Sequence, residues 1–175
     1  MAAAAIANAW ALASSTTVGA SAVGAALTAL LWPTSRTLDF ENKHVVITGG
    51  SKGLGRAVAQ YVVEHGASVS ILARDVAVLN KAKAELDHMC TFDGQKVEVY
   101  SVDIVNQDAV VKTLRQATAS LGPPSFVFTC AGFALPGMFL DVTPDVFRRQ
   151  MDVNYLGTVY TVHVRTSSIF SYSAR

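Results

Sequence analysis

The sequence predicts an α/β fold: a doubly wound parallel sheet, incomplete at about four strands, preceded by an N-terminal hydrophobic helix. Three observations predict it. From Thr37 onward, short β-branched or apolar runs alternate with helical stretches. The runs are apolar without strict alternation, as in strands covered on both faces. A helix between each pair of strands supplies the right-handed crossover that parallel neighbours need. The 175 residues suit one domain with a real core. With 51% hydrophobic and 15% charged residues, the composition lies outside the disordered class.

The hydrophobic helix is assigned to residues 1–36, which contain no charged residue before Arg36. The stretch from Thr17 to Trp32 reads as the main part of a membrane anchor, with Trp32 at an interfacial position before Pro33 and Arg36. A cleaved targeting peptide competes with this reading, but the segment lacks the basic residues that such peptides carry. A low-complexity tail is the other alternative. The charge balance of +1, with no Lys/Arg cluster, excludes a dedicated nucleic-acid surface. Cys90 and Cys130 stand in no metal-ligand spacing, so no metal site is expected; they read as reduced thiols, with a single disulfide as the alternative.

Each later element follows from local signals. His44 to Thr48 is a β-branched strand; a glycine turn, Gly49-Gly50-Ser51-Lys52-Gly53-Leu54-Gly55, leads into a helix from Arg56 to Glu64 that stops at Gly66. Ser68 to Leu72 is the second strand. Asp75 is placed to cap a Lys/Ala/Leu-rich helix reaching about His88. Lys96 to Val102 is the third strand, Gln107 to Ser120 the next helix and Ser125 to Thr129 the fourth strand. A last helix is expected from Pro144 through Tyr160.

The glycine turn carries the chemistry. Thr48, Gly49, Gly53 and Gly55 stand at Thr-Gly-x-x-x-Gly-x-Gly spacing between a strand and a helix, a Rossmann-type arrangement in which backbone N–H groups and the positive helix end accept a pyrophosphate. Ser51, Lys52 and Leu54 fill the same loop. The string Gly49-x-Ser51-x-Gly53 also fits a serine-hydrolase elbow with Ser51 as nucleophile. That reading needs a later acid and a histidine on a loop, and the late histidine, His163, falls on an expected helix.

Where a dinucleotide fold commonly places a ribose-binding acid, the second strand ends in Ala73-Arg74. A cation there suits a 2′-phosphate, and Lys52 adds a second positive charge, so NADPH is favoured over NADH. Asp103 and Ile104 close the third strand, where a carboxylate meets an adenine amino group. Cys130-Ala131-Gly132 close the fourth, with Ala131 and Gly132 small enough to let the backbone pass near a ligand.

Together these residues resemble the short-chain dehydrogenase/reductase superfamily over residues 40–164, with Asn154 matching its active-site asparagine. The strings Gly49 to Gly53, Leu72-Ala73-Arg74, Phe139-Leu140-Asp141 and Gln150 to Tyr155, with the uncharged N-terminus, resemble the fungal 3-ketodihydrosphingosine reductases. The resemblance implies an NADP(H)-binding domain over residues 37–164 that reduces the 3-keto group of a long-chain keto-sphingoid substrate. It also implies attachment to the endoplasmic reticulum membrane, with the catalytic domain facing the cytosol.

Three departures stand out. Cys130 replaces the family's Asn, and Val78 stands where related reductases often carry a Lys. The third concerns catalysis, because the family needs a Ser, a Tyr general acid and a Lys four positions after that Tyr. Tyr172-Ser173-Ala174-Arg175 does not supply them, and residues 165–175 read as an unrelated tail. Residues 1–175 are therefore expected to bind cofactor without turnover, with an incomplete oligomer face. A non-catalytic NADP(H)-binding or interaction fragment is the alternative reading.

Overall fold

The computed structural model describes residues 38–172, with side chains to Val164. The expected anchor, residues 1–36, lies outside the described residues. The element order is β1 (His44–Thr48), α1 (Gly53–Glu64), β2 (Ser68–Ala73), α2 (Val76–Asp87), β3 (Val97–Ser101), α3 (Gln107–Leu121) and β4 (Phe126–Thr129). A long helix follows, built of α4 (Pro144–Met151), a π-helical turn (Asp152–Leu156) and α5 (Gly157–Tyr172).

Among the described residues the four strands form one parallel sheet in the order β3-β2-β1-β4. The registers pair Thr48 with both Leu72 and Thr129, and Ala73 with Ser101, so all four strands end along one edge. Alternate residues of each strand point to opposite faces. Val45, Ile47, Val69, Ile71 and Val97 pack with Ala59, Val62 and Val63 of α1 and with Leu79 and Leu86 of α2. Val46, Leu72 and Val102 pack on the other face with Val110 and Leu114 of α3, where Tyr160 and Val164 of α5 add to the cover. Two helical layers around one sheet make the fold doubly wound. β4 pairs with β1 alone and is only half-buried, as expected of an incomplete sheet.

The helices start and stop where their sequences dictate. Asp75 caps α2 by accepting from the Val78 N–H at 3.1 Å, and Asn106 caps α3 by accepting from the Ala109 N–H at 3.0 Å. Gly66 and Gly122 follow α1 and α3 with positive φ. Buried polar groups are paired. Gln95 donates to the carbonyls of Val63 and Ala67, both at 2.7 Å, and accepts from the Thr91 N–H at 2.8 Å. His44 lies 2.7 Å through Nδ1 from the Gly122 carbonyl and 2.9 Å through Nε2 from the Ser70 hydroxyl. A carbonyl only accepts, so Nδ1 carries the proton and Nε2 accepts from Ser70.

The strands and helices expected between His44 and Thr129 are all present, with ends that differ by one to three residues. The last helix differs more: it continues to Tyr172 rather than stopping at Tyr160, and it changes pitch at Asp152–Leu156. The backbone of 165–172, set apart as a tail by the sequence, is therefore helical. Phe147, Met151, Tyr155 and Val159 of this helix are exposed.

Candidate functional site

The shared edge of the sheet is shaped by three glycines with different tasks. Gly49 has φ +68° and passes so near the end of β4 that a Cβ would lie 2.7 Å from the backbone N and Cα of Ala131. A Cβ on Gly55 would meet the Gly49 carbonyl oxygen at 2.5 Å, so this glycine lets α1 start against the loop. Gly53, with φ +53°, has nothing within 4 Å of its Cβ direction. Two glycines thus compress the loop, and the third leaves open space above the first turn of α1. The first-turn N–H groups of a helix lack intrahelical acceptors and carry its positive dipole end into that space.

Thr48 is buried and holds the loop's base: its Oγ1 accepts from the Ala131 N–H at 3.2 Å, and its carbonyl accepts from the Cys130 N–H at 3.1 Å. The Gly49 N–H donates to the Leu72 carbonyl at 2.7 Å. These bonds fix the loop against both neighbouring strand ends.

A cavity of about 760 Å³ opens over this edge. Every residue assigned to the cofactor from sequence lines it: Thr48, Gly49 and Ser51 to Gly55 on the loop, Arg74 after β2, Asp103 and Ile104 after β3, and Ala131 and Gly132 after β4. The side chains of Lys52 and Arg74 are exposed and form no ion pair or hydrogen bond among the described residues. Asp103 accepts from the Val105 N–H at 3.3 Å, which turns the chain after β3. Ile104 is nearly buried and lies where a Cβ on Gly157 would collide with it, so α5 approaches the end of β3 closely. Burial pushes the Cys130 thiol up from its ordinary value, so it stays protonated at neutral pH and packs as an apolar group against the core. Ser51 lines the cavity, and no histidine lines it among the described residues.

Asn154 does not line the cavity. Its side chain forms two bonds with one residue, accepting from the Phe133 N–H at 2.9 Å and donating to the Phe133 carbonyl at 2.9 Å. The carboxamide thereby fixes the chain just beyond Gly132, where a Cβ would lie 3.2 Å from the Asn154 Oδ1. The π-helical turn places Asn154 there, and such turns are frequent at functional sites.

Sequence reasoning missed one wall of the cavity, formed by Phe133 and Leu135 after β4 and by Asp145, Val146, Arg149 and Val153 on the long helix. The signal was present, since 145, 146, 149 and 153 recur at helical spacing. The apolar stripe Phe147, Met151, Tyr155 and Val159 on the same helix masked it.

Comparison with known proteins agrees with this geometry. A family model described as short chain dehydrogenase matches residues 43–170. The chain is 40% identical over 126 residues to a 3-dehydrosphinganine reductase of Danio rerio, covering 71% of this chain and 38% of that protein. It is 34% identical over 155 residues to a 3-ketodihydrosphingosine reductase of Yarrowia lipolytica, covering 87% of this chain and 41% of that protein. The chain thus spans about two fifths of the length of these relatives. A solved short-chain type dehydrogenase/reductase from Mycobacterium ulcerans superposes with a TM-score of 0.68 at 32% identity, over 73% of this chain and 46% of that one.

Proposed function

We infer, from the premise that this chain belongs to the short-chain dehydrogenase family, that residues 37–164 form the NADPH-holding part of a carbonyl reductase acting on 3-ketodihydrosphingosine. The observation that carries this reading is the cavity over the glycine loop, lined by two cations, Lys52 and Arg74, that have no ion-pair partner among the described residues. The residues fit such a cofactor. The open space over Gly53 lets a pyrophosphate reach the first turn of α1, and Arg74 suits a 2′-phosphate that an acid there would repel.

When bound, the cofactor supplies a hydride for a substrate carbonyl carbon. The chain's own residues do the rest: Thr48 braces the loop, Asp103 stands where the adenine amino group is met, and Asn154 holds the Phe133 segment at the cavity wall. The alkoxide formed by hydride addition needs a proton donor. Tyr61, Tyr100, Tyr155 and Tyr160 have no lysine four positions later.

Residues 1–36 are read as the attachment to the endoplasmic reticulum membrane, with the folded part on the cytosolic side. The relatives named above support this reading, because a long-chain sphingoid base partitions into lipid and its reductase needs access to the bilayer. Among the described residues no helix is long and apolar enough to cross a membrane, so the attachment rests on the N-terminal segment. The exposed stripe from Phe147 to Val159 is read as the chain's share of an oligomer face.

Titration with NADPH and NADH, followed by cofactor fluorescence, tests the reading. NADPH should bind more tightly in the wild type, and Arg74→Asp should reverse the order. Equal curves for the two cofactors before and after the substitution would overturn it.

A further inference from the structure

Beyond Lys52 and Arg74, the cavity has a third cation on its lining, Arg149 of α4. Its guanidinium carbon lies 5.9 Å from the centroid of the Phe133 ring, within the range of a cation–π contact. Phe133 is itself held at its backbone by both ends of the Asn154 carboxamide. A residue pinned at its main chain carries the ring that steadies the guanidinium, so Arg149 is organised before any ligand arrives.

The ring contact leaves the chemistry of Arg149 intact. An aromatic ring attracts the cation through its π system and uses up no in-plane N–H donor. Among the described residues the Arg149 guanidinium forms no ion pair or hydrogen bond. Asp145, one turn earlier on the same helix and on the same lining, does not pair with it. A guanidinium with five free donors in a fixed fork suits two oxygens of a phosphate, for which a lone ammonium lacks the geometry.

We propose that Arg149 is a cofactor-binding residue that clamps the pyrophosphate of the dinucleotide from the helical wall, opposite the N–H groups of the glycine loop. The proposal rests on the dinucleotide reading of the cavity. It assigns Arg149 a task distinct from that of Arg74: the pyrophosphate is common to NADH and NADPH, whereas the 2′-phosphate belongs to NADPH alone.

The experiment titrates NADPH and NADH into the full chain, wild type and with Arg149→Gln, Arg149→Lys or Arg74→Gln, and records a thermal melt of each. Arg149→Gln should weaken both cofactors by a similar factor, of at least fivefold, with the melt little changed. Arg149→Lys should restore part of that loss, since it keeps the charge and loses the fork. Arg74→Gln should weaken NADPH selectively. Unchanged affinity for both cofactors in a folded Arg149→Gln protein overturns the proposal, as does a loss confined to NADPH. A loss in Arg149→Gln accompanied by a large fall in melting temperature and full rescue of both by Arg149→Lys overturns it too, because Arg149 would then act only by holding Phe133. A wild type that binds neither cofactor refutes the dinucleotide reading and the clamp with it; a wild type that binds both, with Arg149→Gln unaltered, refutes the clamp alone.

Discussion

Gly49 and Ala131 approach until no side chain fits between them: a Cβ on Gly49 would stand 2.7 Å from two backbone atoms of Ala131. The glycine also has φ +68°, a region that other residues enter at a cost of roughly 1–2 kcal/mol. Overpacking against backbone adds about 1–3 kcal/mol. Gly49→Ala should therefore destabilise the fold by several kcal/mol, read as a lower urea midpoint at constant m-value. Gly53→Ala, with a comparable φ but open space around it, should cost only about 1 kcal/mol of stability while weakening cofactor binding, because its methyl group enters the cavity. If the two substitutions destabilise equally, the close approach at Ala131 does not govern the loop.

His44 makes stability depend on pH. Burial holds its pKa below the ordinary 6.5, and the hydrogen bond to the Gly122 carbonyl offsets part of that shift. The folded state therefore keeps His44 neutral at pH values where the unfolded chain has already taken up a proton. Its contribution is fully present above pH 6.5 and is lost as pH falls below that value toward the folded pKa. Urea midpoints at pH 7.5 and pH 5.5 should show lower stability at the acidic value, and His44→Gln should flatten the difference. A drop of the same size in both proteins would assign the acid sensitivity to other groups.

The pair of hydrogen bonds between Asn154 and Phe133 has a local readout. Each hydrogen bond contributes on the order of 0.5–1.5 kcal/mol net, so Asn154→Ala should cost roughly 1–3 kcal/mol and speed hydrogen exchange at the Phe133 amide. Asn154→Asp keeps an acceptor for the amide but sets an oxygen against the Phe133 carbonyl, so it should destabilise at least as much as Asn154→Ala. Exchange at Phe133 that is indifferent to both substitutions would contradict the geometry.

Membrane attachment is expected to reside in residues 1–36. The full chain should stay with membranes through high salt and carbonate, whereas a chain beginning at Leu38 should be released. Recovery of both forms in the soluble fraction, or cleavage near Pro33 in the mature protein, would contradict the anchor.

The parts of the fold that depend on local rules were legible in the sequence. Asp75 as a helix cap, Gly66 as a stop and the glycine turn between β1 and α1 are each decided by a few neighbouring residues. The cavity's loop side was equally legible, because Thr48, Gly49, Gly53 and Gly55 carry their meaning in their spacing. What escaped reading depends on long-range packing. Gln95 looks like a surface residue, yet it is buried because its amide satisfies carbonyls of α1 and the turn after it. Phe133 and Arg149 are separated by a loop and a helix start, and no pattern reports that one lies over the other. The change of pitch at Asp152–Leu156 matches no pattern in the sequence, which keeps helical spacing through it.

That change of pitch divides the labour along one rod. An α-helix advances about 100° per residue, so the wider turn at Asp152–Leu156 resets the angular phase between α4 and α5. Above it, Val146 and Arg149 line the cavity; below it, Gly157 and Thr161 are buried against the body of the domain. The turn behaves as a coupling between two shafts clocked independently. Substitutions above it can retune what the cavity wall presents without disturbing how the lower half seats on the sheet. Removing one residue from the turn would instead swing the whole upper half away from the cavity as a unit.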